Sequence, residues 1–128
     1  MPDLIMIVED NAKNMKLARD VLEQSNFRTL EAGTAEEALD LVATNRPDLI
    51  LMDIELPGMN GFEAVGRLKG DPATEAIPVC ALTAFAMSDD RERCLRAGFD
   101  GYLSKPINVA QFPDQVRELL AGAREGAS

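Results

Sequence analysis

An α/β domain built on a parallel sheet is the fold this sequence predicts, and three observations predict it. Short, continuously apolar runs bounded by turn residues recur along the chain. Between them, apolar residues return with the period of a helix. The length of 128 residues suffices for one such domain with its own core. Strands buried on both faces read as unbroken apolar runs, and parallel neighbours require crossovers, which the helical segments supply.

Leu4-Ile5-Met6-Ile7-Val8 is the first strand. Met15, Ala18 and Leu22 then form the stripe of a helix begun near Asn11. Phe27-Arg28-Thr29-Leu30 is a weaker strand with the look of an edge. Next, Ala35, Ala38, Leu39 and Val42 recur at helical spacing, with Glu36, Glu37 and Asp40 on the opposite face. Thr34-x-x-Glu37 ahead of them has the form of a capping box. Leu49-Ile50-Leu51-Met52 is the third strand. Phe62, Val65 and Leu68 mark a helix that ends before Gly70-Asp71-Pro72. Gly66 lies inside it and should weaken it by about 0.5–1 kcal/mol relative to Ala, unless packing requires a glycine there.

Val79-Cys80-Ala81-Leu82 is the fourth strand, followed by a short helix that Ser88 can cap and that ends near Gly98. Gly101-Tyr102-Leu103 is a second edge-like strand. Val109, Phe112, Val116, Leu119 and Leu120 mark the last helix. If Asn108 caps it, Pro113 is its fifth residue and lacks the N–H for the first interior bond, so the helix should kink or start late. Residues 1–121 then form one domain, and 122–128 read as a frayed tail. Pattern alone leaves the strand order open. Both common doubly wound orders place ligands at the carboxyl ends of strands where the order reverses.

Composition narrows the function. Hydrophobic residues at 46% and charged residues at 27% are the balance of a soluble globular domain. A formal charge of −9 argues against nucleic acid or anionic membrane as a partner. Cys80 and Cys94 form no CxxC pair and histidine is absent, so a zinc site and a Cys/His catalytic pair are excluded. The run from Leu4 to Val8 is too short for a signal-peptide core and ends in two acids, and nothing is long enough to span a bilayer. A cytoplasmic location is expected.

At the strand ends stand Glu9 and Asp10 after the first strand, Asp53 after the third, Thr83 after the fourth and Lys105-Pro106 after the fifth. Singly, each has a plain explanation: Asp10 as a helix cap, Asp53 as a turn residue, Thr83 as a strand residue, Lys105 as a solvated charge. Together, three carboxylates on one sheet end repel, and raised pKa values or a bound hard cation relieve that repulsion. Mg²⁺ is the natural candidate, because it takes one or two carboxylates and keeps positions for a phosphoryl oxygen. A hydroxyl from Thr83 and the charge of Lys105 would complete a pocket for a transferring phosphoryl group, with Asp53 as nucleophile.

The chain resembles the receiver domains of two-component response regulators. The resemblance lies in Ile-Val-Glu9-Asp10-Asn11, Asp48-Leu-Ile-Leu-Met-Asp53-Ile-Glu-Leu-Pro57-Gly-Met-Asn-Gly61, Ala81-Leu-Thr83-Ala84 and Tyr102-Leu-Ser-Lys105-Pro106. Val8-Glu9-Asp10-Asn11-x-x-Asn14-Met15-Lys16-Leu17 and Thr83-Ala84-Phe85-Ala86-Met87 look like the DivK-type regulators of bacterial cell division. The resemblance implies a flavodoxin-like sheet of order 2-1-3-4-5. It makes Asp53 the phosphorylated residue, Glu9 and Asp10 the acidic pair, Thr83 and Tyr102 the switch residues and Lys105 the site lysine. Mg²⁺ would be held by Asp10, Asp53 and the backbone carbonyl of Glu55, and the Lys105-Pro106 bond would be cis.

The implied protein is a single-domain signalling switch, catalysing only its own phosphorylation and dephosphorylation. A histidine kinase or phosphotransfer protein is its expected donor, a downstream protein its target, and a monomer or weak dimer its state. Tyr102 as a merely half-buried strand aromatic stays open. So does an aspartate-nucleophile phosphatase of the haloacid dehalogenase class, suggested by Asp53-x-Glu55, although its nucleophile would be expected after the first strand. A pseudo-receiver is disfavoured by the intact acidic set. A Rossmann cofactor domain is disfavoured because no G-x-G-x-x-G follows the first strand.

Overall fold

The computed structural model describes the backbone of residues 2–84 and 88–126, and the side chains of all of these except 88–90, 125 and 126. Phe85, Ala86 and Met87, the Ser88 side chain expected to cap a helix, and residues 127 and 128 lie outside the described residues. Within them, strands and helices alternate as β1 (Leu4–Val8), α1 (Ala12–Gln24), β2 (Arg28–Ala32), α2 (Ala35–Val42), β3 (Leu49–Asp53), α3 (Gly61–Gly70), β4 (Val79–Thr83), α4 (Ser88–Ala97), β5 (Gly101–Ser104) and α5 (Phe112–Gly126). All strand pairs are parallel and the order is β2-β1-β3-β4-β5. This is the doubly wound arrangement the family resemblance implies.

The three apolar runs occupy the three interior positions, β1, β3 and β4, and every residue of β3 and β4 is buried. Alternate residues face opposite layers. Met6, Val8, Ile50, Met52, Val79 and Ala81 pack with Ala38 of α2, Val65 of α3 and Cys94 of α4. Ile5, Ile7, Leu49, Leu51, Cys80 and Leu82 pack with Leu22 of α1 and Val116 of α5. β2 and β5 are the sheet edges, as their mixed composition predicts, and neither is fully buried. Both cysteines are buried, and burial pushes the Cys80 thiol far above its usual range, which suits an inert core residue. No helix among the described residues is long and apolar enough to cross a membrane.

Helix starts follow the caps. Asn11 caps α1, its Oδ1 accepting from the N–H groups of Lys13 and Asn14 at 3.0 Å each. Asp10 is thereby relieved of the capping role. Thr34 Oγ1 accepts from the Glu37 N–H at 3.0 Å, but the Glu37 carboxylate returns its bond to the Gly33 N–H at 3.2 Å. The expected capping box is thus displaced by one residue on its return arm.

Of the two outcomes allowed for Pro113, the late start is the one adopted. Asn108 closes a turn, its Oδ1 accepting from the Ala110 and Gln111 N–H groups at 3.0 and 3.3 Å, and α5 begins only at Phe112. Pro113 then sits in the first turn, where its missing N–H costs nothing. At the far end α5 runs on to Gly126, past Ala121 where fraying was expected, and Arg124 is paired with Asp3 near the start of the chain.

Gly66 faces solvent, and a Cβ built there meets nothing within 4 Å. Packing therefore does not require the glycine. Gly66→Ala is expected to stabilise the fold by about 0.5–1 kcal/mol, a rise in melting temperature of about 2–5 °C. A thermal melt with an unchanged or lower midpoint would reject this.

Candidate functional site

Because the strands are parallel, their carboxyl ends share one edge of the sheet, and the order reverses between β1 and β3. A ligand cleft is expected there. A cleft of ≈ 440 Å³ lies at that point, lined among others by Glu9, Asp10, Asn14, Asp53, Glu55 and Lys105. One water's share of liquid volume is about 30 Å³, so a phosphoryl group with several waters fits.

Each side chain is brought in by its own strand. Glu9 and Asp10 leave β1, Asp53 ends β3, and Thr83 ends β4 with no exposed surface. Lys105 follows β5, where its N–H donates to the Thr83 carbonyl at 2.7 Å, and its bond to Pro106 is cis. Behind Asp53 the backbone is crowded. At Gly61, the first residue of α3, a Cβ would lie 2.7 Å from the Ile54 Cα and 2.8 Å from the Asp53 carbonyl oxygen, so a residue without a side chain lets α3 begin against the strand end. The intervening loop is tied at Glu55, whose N–H donates to Asp53 Oδ1 at 2.8 Å. It is tied again at Met59, whose N–H donates to the Glu36 carboxylate of α2 at 3.1 Å.

The carboxylates of Glu9, Asp10 and Asp53 offer ligand oxygens within 4.8 Å of one another. Their repulsion has two remedies expected from the sequence, raised pKa values or a hard cation. A third is present. The Lys105 ammonium donates to Glu9 Oε2 at 2.6 Å and to Asp53 Oδ2 at 2.7 Å, so it neutralises the acids as well as facing the cleft. Burial opposes its charge, but the carboxylates of Asp53 and Glu9 outweigh burial and raise its pKa. Glu9 is shifted upward too, first by burial; the Lys105 hydrogen bond opposes that shift, and the neighbouring Asp53 charge adds to it. Asp10 is exposed at the cleft rim. Three oxygen donors without nitrogen or sulfur suit a hard divalent cation.

Tyr102 is half-buried on β5, opposite Ala81, and packs against the layer that contains α3 and α4. The residue that sequence reasoning passed over is Asn14. In the sequence it stands only as part of a motif, yet its Nδ2 donates to Glu9 Oε1 at 3.3 Å. An amide one helical turn past an acidic pair was the available signal.

Comparison with known proteins agrees with this arrangement. The model of the response regulator receiver domain matches residues 5–117. The chain is 49% identical over 123 residues to the polar-differentiation response regulator DivK of Brucella anthropi, covering 96% of this chain and 100% of that protein. Among solved structures it resembles the receiver domain of a sensor histidine kinase from Pseudomonas aeruginosa PAO1, which has a magnesium ion coordinated in its active site cleft. That match has a TM-score of 0.85 and 30% identity and covers 94% of this chain and 99% of the other. A CheY-like receiver domain protein from Methanospirillum hungatei matches with a TM-score of 0.87 and 25% identity, over 98% of this chain and 99% of that one. With the motifs, the strand order and the acidic cleft in agreement, this chain belongs to the response regulator receiver domain family.

Proposed function

We propose that this chain is a phosphorylation-controlled signalling switch in which Asp53 accepts a phosphoryl group from a histidine kinase or phosphotransfer protein. The observation that carries the reading is the Lys105 ammonium held 2.7 Å from Asp53 Oδ2 inside a cluster of three carboxylates. In the step, an Asp53 carboxylate oxygen forms the new O–P bond as the donor's P–N bond breaks. The departing imidazole keeps the electron pair and takes a proton from solvent. Lys105 offsets charge on the phosphoryl oxygens, and the Thr83 hydroxyl donates to one of them.

The donor set fits Mg²⁺, with Asp10, Asp53 and the Glu55 backbone carbonyl as ligands and Glu9 beside them. When bound it supplies neutralising charge at the phosphoryl oxygens. The magnesium-bound Pseudomonas relative supports that assignment.

Output is read by another protein on the face formed by α4, β5 and α5. The phosphoryl oxygens draw the Thr83 hydroxyl inward, the Tyr102 ring turns into the space, and a change of charge becomes a change of packing. The domain works as a monomer or weak dimer in the cytoplasm, where reduced thiols such as that of Cys80 persist. The similarity to a regulator named for polar differentiation supports a role in the cell cycle or cell division.

Acetyl phosphate, a donor whose P–O bond breaks to release acetate, provides the test. Intact mass after incubation with acetyl phosphate and Mg²⁺ is expected to show one added phosphoryl group. A chelator should prevent the adduct while far-UV circular dichroism stays unchanged, because the core consists of apolar layers remote from the acids. Absence of the adduct with Mg²⁺ present, or unfolding in chelator, would contradict the proposal.

A further inference from the structure

We infer that Asn14 is a positioning residue of this site: its side-chain amide turns the Glu9 carboxylate so that the opposite oxygen stays on Lys105. Glu9 is almost wholly buried and its two oxygens have separate tasks. Oε2 accepts from the Lys105 ammonium at 2.6 Å. Oε1 accepts from the Asn11 N–H and from Asn14 Nδ2, each at 3.3 Å. The Asn11 donor is backbone at the start of α1 and cannot adjust. Asn14 is therefore the one side chain among the described residues seen to hold Oε1. The terminal torsion of a glutamate is broad, so the contacts on its two oxygens set its rotation, and each one lost widens it.

Remove the amide and Oε1 keeps a single long backbone contact. The carboxylate plane is then held at Oε1 only by that 3.3 Å contact, so it rotates over a wider range, and the Lys105 ammonium shifts part of its hydrogen bonding from Glu9 toward Asp53. An ammonium bound more closely to the nucleophile is less available to an incoming phosphoryl group. Phosphoryl uptake should slow by about three- to tenfold, the scale of one charge-assisted hydrogen bond of long geometry. Stability should not suffer, because Asn14 is exposed on a helix and its own N–H, which bonds to Asn11 Oδ1, is retained in any variant. Alanine is also the better helix former.

The kinetic half of this inference rests on Asp53 as the phosphoryl acceptor; the geometric half does not. The test uses the full chain with Asn14→Ala, which removes the donor, and Asn14→Leu, which removes it while keeping the bulk. In the metal-free protein, the ¹⁵N resonance of the Lys105 ammonium is expected to move in both variants, with a melting temperature at or above that of the unsubstituted chain. With acetyl phosphate and Mg²⁺, both variants should show the three- to tenfold slower uptake. An unmoved Lys105 resonance, or slower uptake accompanied by a lower melting temperature, would overturn the inference. If the unsubstituted chain takes up no phosphoryl group, the reading of Asp53 fails, and the resonance comparison still decides the role of Asn14.

Discussion

Asp53→Asn is expected to abolish phosphoryl uptake while leaving the fold in place. Asparagine has nearly the same shape, and its amide oxygen can keep the contact that Asp53 Oδ1 makes with the Glu55 N–H at 2.8 Å. The other half of the group changes sign. Oδ2 now accepts from Lys105 at 2.7 Å, and an NH₂ in its place would face an ammonium, donor against donor. Lys105 would retreat to Glu9. A neutral amide carries no anionic oxygen to attack phosphorus, so the loss should be complete rather than partial. Intact mass with acetyl phosphate and Mg²⁺ measures it directly. An adduct on the variant equal to that on the unsubstituted chain would remove Asp53 from its role.

Lys105→Met is expected to have the next largest effect, on two observables at once. Methionine keeps an unbranched apolar stem but deletes the charge that lies between Glu9 and Asp53. Phosphoryl uptake should fall by about 10²–10³-fold, the typical consequence of removing one preorganised electrostatic partner of a transition state. The metal-free fold should also weaken. A fully buried charge left unpaired costs about 3–5 kcal/mol. Here the carboxylates left behind are nearly buried, Glu9 at 2% and Asp53 at 5% exposure, but a proton taken up by Glu9 can relieve part of their repulsion, so a smaller penalty of about 1–3 kcal/mol follows. Its origin is carboxylate repulsion, which a divalent cation relieves. Thermal melts should therefore show Mg²⁺ raising the midpoint more in the variant than in the unsubstituted chain. Equal Mg²⁺ shifts in the two proteins would mean that Lys105 does not neutralise the acidic cluster.

The elements and the chemistry available to the site are legible in the order of residues along the chain. Leu49 to Met52 and Val79 to Leu82 read as interior strands because residues buried on both faces must be apolar without interruption. Arg28 and Glu31 exclude β2 from such a position for the same reason. Asn11 and Thr34 announce helix starts because a cap acts on N–H groups two or three residues away. The acids, the hydroxyl and the lysine stand directly after their strands, so a parallel sheet of any order gathers them on one edge. All of these signals are local in the chain.

How the gathered groups bond to one another follows from packing in three dimensions. Lys105 and Glu9 are 96 residues apart, and no periodicity encodes that the ammonium would bridge Glu9 and Asp53. Gly61 stands in the sequence only as the end of a motif until the backbone of Asp53 and Ile54 is seen against it. The reach of Asn14 to Glu9 depends on the angle at which α1 leaves β1, and the late start of α5 on how Asn108 folds its own turn. Hydrogen-bond geometry varies on the scale of tenths of an ångström. The packing of layers onto the sheet sets distances at that scale, whereas the order of residues along the chain sets only which groups are near enough to compete.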